Sequence, residues 1–191
     1  MSFQQFTCKI QGVVPLLLHN GQLANPLSEG AKALKSVTSK RKKTDKDYEE
    51  MSRIEWFYGL HVKDGKPIVT AEMIEATFLG AAKLQKLGKQ ASRGMTCPES
   101  CLIRYPEEKL SLEELYKNPD YVFVSIVRVG QSKVNRTRPR FNEWSMDLQF
   151  LYDDGVFNKA GISEIVEQMG SSIGFGDWRP KFGRFEVVSK K

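Results

Sequence analysis

The stretch Gly170-Ser-Ser-Ile-Gly-Phe-Gly-Asp-Trp-Arg-Pro-Lys-Phe-Gly-Arg-Phe-Glu-Val-Val188 combines four glycines and three basic residues with several aromatic rings. Glycine permits positive φ and lets a backbone approach a ligand closely. Arginine and lysine supply the charge that suits phosphate. The stretch therefore predicts a loop that contacts nucleic acid, followed by a last strand over Phe182 to Val188.

A helix is predicted immediately before this loop. Apolar residues recur at helical spacing from Ile162 to Met169, with Asn158 as the N-cap and Gly170 as the stop. The loop is thus expected to join a helix to a strand. That order is the reverse of the dinucleotide-binding arrangement, in which the glycines follow a strand.

The remaining core elements are indicated by hydrophobic periodicity. Residues 6–10 alternate as in a half-buried strand, residues 121–129 form a β-branched and aromatic run typical of a central strand, and residues 144–150 alternate again. Residues 70–88 place their apolar side chains on one helical face. The order is strand, helix, strand, strand, helix, strand. It predicts an α+β fold with a ferredoxin-like, RRM-like βαββαβ core and an antiparallel sheet.

Two segments do not fit this core and are predicted to be insertions. Residues 20–69 follow the first strand, and within them Thr44 with Asp47 has the pattern that caps a helix. Residues 89–119 follow the first core helix and are weakly patterned. A length of 191 residues fits one domain, 1–191, that carries both insertions.

Composition favours an acidic partner and a cytoplasmic location. The net charge is +6, which suits a polyanion such as nucleic acid. No apolar run approaches the roughly 20 residues that span a bilayer. The polar start, residues 1–5, lacks the pattern of a signal peptide. We therefore expect no membrane contact and reduced thiols in the cytoplasm.

Cofactor and enzyme patterns are missing from the sequence. Three cysteines and two histidines do not fall at the spacing of a zinc site, so no metal is expected. No phosphate-binding loop, nucleophile elbow or paired-histidine zinc motif occurs. The sequence thus predicts a protein without cofactors that is not an enzyme.

Three stretches carry a family resemblance. They are Val14-Pro-Leu-Leu-Leu-His19 at the end of the first strand, Ile68-Val-Thr-Ala-Glu-Met-Ile-Glu-Ala-Thr-Phe-Leu-Gly-Ala-Ala82 at the first core helix, and the terminal loop Ile173-Gly-Phe-Gly-Asp-Trp-Arg-Pro-Lys-Phe-Gly-Arg-Phe185. Together they resemble the RAMP (repeat-associated mysterious protein) superfamily of CRISPR systems, especially the backbone subunit that coats guide RNA. The resemblance implies single-stranded RNA binding and side-by-side assembly, as a homo-oligomer or a ribonucleoprotein subunit. A stand-alone phage or mobile-element relative is equally compatible.

Basic and aromatic residues in three segments form the predicted nucleic-acid-binding set, for RNA or DNA. These segments are a basic run before the inserted helix, a predicted loop between two central strands, and the terminal loop. The residues are Lys40, Arg41, Lys42 and Lys43, then Lys133, Arg136, Arg138 and Arg140, and last Gly174, Phe175, Gly176, Trp178, Arg179, Lys181 and Arg184. Their cations would neutralise phosphates, and the rings of Phe175 and Trp178 would stack on bases.

Each of these interpretations has an alternative. The basic runs could be ordinary solvated segments, and the two aromatic rings could pack under a tight turn. His19, just after the first strand, could be a turn residue or the general acid or base of a metal-independent ribonuclease. A protein of another class, such as a phage assembly factor or an inhibitor of a host complex, could use the same fold to bind protein.

Overall fold

A computed structural model describes residues 2–190 of the chain. The strands are β1 (Phe3–Gly12), β2 (Leu16–Leu17), β3 (Val62–Lys63), β4 (Lys66–Val69), β5 (Met95–Thr96), β6 (Cys101–Leu102), β7 (Val122–Val129), β8 (Ser132–Phe141), β9 (Ser145–Asp153) and β10 (Phe185–Lys190). The α-helices are α1 (Glu29–Thr38), α2 (Asp45–Gly59), α3 (Ala71–Leu84), α4 (Gly88–Gly94), α5 (Leu112–Lys117) and α6 (Lys159–Gln168). A π-helical turn, Met169–Ile173, continues α6.

The central sheet has the strand order β10-β1-β9-β5, and every neighbouring pair is antiparallel. If the core strands β1, β5, β9 and β10 are numbered 1 to 4, the sheet order is 4-1-3-2. This is the order of a ferredoxin-like fold, and α3 and α6 are its two helices. Phe78 of α3 packs on Phe150 of β9 with ring centroids 5.6 Å apart. Ile162 and Ile165 of α6 are fully buried in the same core. The predicted fold class is confirmed.

The second core strand is not the predicted one. It is β5, only two residues long, which pairs with β9 through Met95 and Thr96. The prediction that residues 121–129 form a central strand is wrong, because β7 pairs instead with β8 in a hairpin outside this sheet. Strand propensity describes how a residue fits a pleated surface and does not specify which sheet receives the strand. A strand of two residues shows no periodicity.

Helix α2 holds this hairpin against the body of the protein. The carboxylate of Glu55 accepts a hydrogen bond from the backbone N–H of Thr137, at 2.8 Å, and Ser52 shares one with the Thr137 hydroxyl. The indole N–H of Trp56 donates to the carbonyl of Tyr121, also at 2.8 Å. The predicted capping box of Thr44 with Asp47 begins the helix and is confirmed. The hairpin is therefore anchored along β8.

The terminal loop, residues 174–184, is fastened to the segment that follows β1. The N–H of Asp177 donates to the carbonyl of Leu17 at 2.8 Å, and that of Gly183 donates to the carbonyl of Pro15, also at 2.8 Å. Gly183 has φ of +75°, and a Cβ there would lie 1.9 Å from the carbonyl oxygen of Phe175. Glycine is therefore required at this position for both conformation and space. None of the helices within residues 2–190 is long and apolar enough to cross a membrane.

Candidate nucleic-acid interface

The terminal loop and the β7–β8 hairpin meet through an aromatic cluster of Phe123, Trp178 and Phe182. The ring centroid of Phe123 lies 5.7 Å from that of Trp178 and 5.5 Å from that of Phe182, both in edge-on geometry. All three side chains are half-buried. Trp178 has φ of +54°, an uncommon conformation for a bulky residue. This cluster places aromatic rings at the surface between two segments that the sequence singled out as basic.

Phe175 does not belong to this surface. Its side chain is fully buried, and its ring stacks on Phe185 with centroids 5.0 Å apart and planes 11° from parallel. Trp144 contacts both rings. The prediction that Phe175 stacks on bases is wrong, and the packing alternative is the one that the structure shows. The pattern of a single aromatic residue between two glycines could not separate these alternatives.

The basic residues predicted in a loop lie on β8 instead, and the three arginines among them are engaged within the protein. Arg138 is buried, and its Nε pairs with the carboxylate of Asp177 at 2.5 Å. Its guanidinium also lies 5.0 Å from the ring of Trp178. Arg140 donates to the carbonyls of Pro119 and Asp120. The prediction that these residues sit on a flexible loop is wrong, because they are strand residues that join the hairpin to its neighbours.

Arg136 and Lys133 reach the outer part of the hairpin. The guanidinium of Arg136 pairs with Glu55, whose carboxylate is nearly inaccessible to water. Arg136 itself remains partly exposed, and Lys133 is exposed. Both line a groove of about 530 Å³ between β8 and the first two helices, and Tyr48 and Ile126 are among its apolar residues. We call this the hairpin groove.

The basic run at residues 40–43 lies at the start of α2. Lys40 pairs with Asp47 at 2.5 Å, and this hydrogen bond, with those from Thr44, lowers the pKa of Asp47 to about 2. Lys43 donates to the carbonyl of Lys40 and also lines the hairpin groove. Arg41 and Lys42 are exposed. The run thus combines a helix start with a basic rim for the groove.

Three exposed cations lie on the terminal loop, which also carries Trp178 and Phe182 of the aromatic cluster. They are Arg179, Lys181 and Arg184. The ammonium of Lys181 lies 5.8 Å from the ring of Phe182. One guanidinium nitrogen of Arg179 lies 3.5 Å from the hydroxyl of Thr77 on α3. Exposed cations beside partly exposed rings are the combination with which proteins bind single strands.

A second concave feature, which we call the histidine cleft, lies beside this loop. It has a volume of about 260 Å³, and its lining includes His19, His61, Thr77, Asp177 and Arg179. Removal from water is the main effect that lowers the pKa of each histidine below 6.5. The nearby carboxylate of Asp177 opposes this shift at His19, as that of Glu72 does at His61. The sequence pattern did not indicate His61, because it is brought to His19 only by the tertiary fold.

The described residues do not include a metal centre. Within residues 2–190, no group of three or more histidine, cysteine, aspartate or glutamate side chains is placed to hold an ion. Burial raises the pKa of Cys8 and Cys101 to about 12 and that of Cys97 to about 11. The cysteines behave as buried apolar residues in this fold.

The fold and the site define the chain as a ferredoxin-like domain that carries a basic and aromatic surface. No protein-family model and no curated protein matches the sequence. A chain of the type III-B Cmr-beta complex, determined by cryo-EM with cognate target RNA, shares its fold. Their TM-score is 0.55 at 11% identity, and the likeness covers 99% of this chain and 60% of that chain. Cmr6 from Pyrococcus furiosus gives a TM-score of 0.41 at 10% identity, over 98% of this chain and 100% of that one.

The first of these neighbours is a chain of a type III-B Cmr complex, a CRISPR complex with RAMP-superfamily subunits. The first likeness confirms, at the level of the fold, the resemblance that the sequence motifs carry. The chain spans about 60% of the length of that neighbour.

Proposed function

We propose that this protein binds single-stranded nucleic acid, RNA in preference to DNA, without cleaving it. The observation that carries the proposal is the exposure of Arg179, Lys181 and Arg184 on the loop that supplies the half-buried Trp178 to the aromatic cluster. Exposed cations neutralise phosphates of the strand, and a tryptophan ring stacks on any base. Binding of this kind has little sequence preference.

The basic rim of the hairpin groove adds a second cationic surface to the proposal. Lys133 and Arg136 border the groove from the hairpin that supplies Phe123 to the aromatic cluster, and Lys43 borders it from the segment before α2. A strand that crosses the hairpin would meet cations on both sides of it. The RNA-bound state of the Cmr-beta neighbour supports RNA as the ligand. Side-by-side assembly on the strand, as a homo-oligomer or a ribonucleoprotein subunit, is part of the proposal.

A salt titration tests the site. Fluorescence anisotropy with a labelled single-stranded RNA should give an affinity that falls with salt, with a slope that decreases by about 0.7 for each cation–phosphate pair that a substitution removes. The variant Arg179→Ala/Lys181→Ala/Arg184→Ala should therefore lower the slope by about 2. The matched control removes the same charge at exposed lysines outside this surface. It is Lys109→Ala/Lys117→Ala/Lys159→Ala. An equal effect of both variants would show that binding is not localised to the loop.

Intrinsic fluorescence gives a second readout. Trp56 and Trp144 are fully buried, so Trp178 is the tryptophan that a base can reach among the three in the chain. Stacking should quench its emission, and Trp178→Phe should abolish the quenching while retaining an aromatic ring. Absence of salt-dependent binding by the wild-type protein would refute the proposed function.

The exposed apolar residues of the hairpin favour a second candidate, a protein that binds another protein. Val124 is 56% exposed and Ile126 is 70% exposed, and Tyr48 lies across the groove from the hairpin. Apolar side chains grouped at the surface mark protein interfaces. Purified protein that carries no material absorbing at 260 nm and fails to bind oligonucleotides would favour this candidate over the first.

A further inference from the structure

The histidine cleft contains both histidines of the chain, His19 and His61, together with Arg179 of the terminal loop. We propose that this cleft binds one phosphodiester group of the strand, with Arg179 as the permanent cation and the two imidazoles as donors that become cations when they bind protons. The inference rests on the proposed function and adds to it a defined subsite whose affinity depends on pH.

The size and lining of the cleft fit a small anionic group. Its volume of about 260 Å³ is below the roughly 300 Å³ at which pockets for drug-sized ligands begin. Thr77 adds a hydroxyl within 3.5 Å of the Arg179 guanidinium. Gly176 contributes no side chain, and a Cβ there would lie 2.0 Å from the carbonyl oxygen of Leu17. The cleft can therefore admit a phosphate but not a large ligand.

Asp177, the acidic residue of the cleft, repels an anion only weakly. The carboxylate of Asp177 is paired with Arg138, which is buried behind it. Its negative charge is therefore largely compensated within the protein. Arg179, in contrast, is exposed and has no ion pair in the described part of the chain. The balance of charge at the cleft mouth favours a negatively charged ligand.

The protonation of the histidines supplies the pH dependence. Around His19, Asp177 and Glu55 favour the charged imidazole, whereas Arg138 and Arg136 disfavour it. Loss of water outweighs these effects and lowers its pKa.

At His61, loss of water likewise outweighs the opposing carboxylate of Glu72. In the protein without ligand, both histidines therefore have a pKa below the ordinary value. A bound phosphodiester stabilises the protonated rings and raises both pKa values, so binding takes up protons. Affinity must then increase as the pH falls.

The test compares affinities at pH 7.5 and pH 5.5 at constant ionic strength. The probe is a fluorescent oligouridylate with a 5′-hydroxyl end, because its bases do not titrate in this range and phosphodiesters are its only anions. Each histidine whose pKa rises by one unit on binding increases affinity by about tenfold below both pKa values. The wild-type protein should therefore bind at least several-fold more tightly at pH 5.5.

The double variant His19→Gln/His61→Gln should lose this gain and bind at pH 7.5 much as the wild-type protein does, because glutamine keeps a neutral donor. Arg184→Ala is the control, since it removes a cation of the loop outside the cleft and should retain the full pH gain. If the double variant does not fold, each single variant should lose part of the gain.

Failure of the inference is distinguishable from failure of the proposed function. An undiminished pH gain in the histidine variants, with tight binding in all proteins, would overturn the cleft assignment alone. Absence of binding at either pH would overturn the proposed function as well. Cleavage of the oligouridylate by the wild-type protein, abolished in His19→Gln, would replace phosphate binding with a ribonuclease role for the cleft.

Discussion

The tight contact between Gly183 and Phe175 gives a sharp prediction about stability. In Gly183→Ala, the new methyl group would lie 1.9 Å from the Phe175 carbonyl oxygen and 2.8 Å from its carbonyl carbon and nitrogen. All three neighbours are backbone atoms, so no side chain can rotate away. The substitution must move either the loop or the strand that follows it.

The expected magnitude has two parts. A side chain with φ of +75° costs about 1–2 kcal/mol, and overpacking in a well-packed region costs about 1–3 kcal/mol more. Gly65→Ala is the matched control, because Gly65 has nearly the same φ, +74°, but no atom within 4 Å of the added methyl group. It should show only the first part. Alanine also reduces the entropy of the unfolded chain, by the same amount in both variants.

Urea unfolding measures this difference in the free energy of unfolding. Gly183→Ala should lose about 1–3 kcal/mol more than Gly65→Ala. Equal losses in the two variants would refute the reasoning, since they would mean that the loop is not closely packed on the chain segment around Phe175. Unchanged m-values are required for the comparison, because a changed slope would indicate a different native or unfolded state.

Two further predictions concern a buried carboxylate and the two histidines of the cleft. Glu55→Ala leaves the buried N–H of Thr137 without its acceptor, so it should lower the free energy of unfolding in urea by about 1–3 kcal/mol. The control Glu113→Ala removes an exposed partner of Arg53 and should lower it by at most about 1 kcal/mol. Similar losses would mean that α2 does not anchor the hairpin through Glu55. The folded protein holds the pKa of His19 and of His61 below 6.5, so the unfolded chain binds more protons than the folded one. The free energy of unfolding should therefore decline as the pH falls from 6.5 through the pKa values of the folded protein. Thermal unfolding of the ligand-free protein should show this decline, and a melting temperature in His19→Gln/His61→Gln that falls as steeply would contradict it.

Much of the core could be predicted from the sequence because its elements are long and periodic. In β1 and β9, alternation in the sequence shows which side chains are buried. In α6, the apolar face shows the same. The predicted fold class is correct, although its second strand was assigned to residues 121–129 and not to β5. The division of the chain into a core with insertions at residues 20–69 and 89–119 stays a prediction.

The candidate site was less predictable because its chemistry depends on pairing across the fold. The sequence around Arg138 indicates a solvated cation. In the structure, Asp177 neutralises Arg138 from a loop far along the chain. His61 is remote in sequence from His19 and shares no motif with it. The terminal-loop cations Arg179, Lys181 and Arg184 are exposed, and their role in binding stays a prediction.

The position of β10 in the sheet has a consequence for how the chain folds. Its residues pair with the first strand, so that Cys8 lies opposite Lys190. The sheet therefore cannot close until residues near the end of this sequence are available, and such distant pairings slow folding. During synthesis on a ribosome, the edge of β1 that pairs with β10 would lack its partner strand until nearly all of the sequence had emerged. The nascent chain would depend on chaperones, or on rapid collapse of the helices, to avoid aggregation before the last strand arrives.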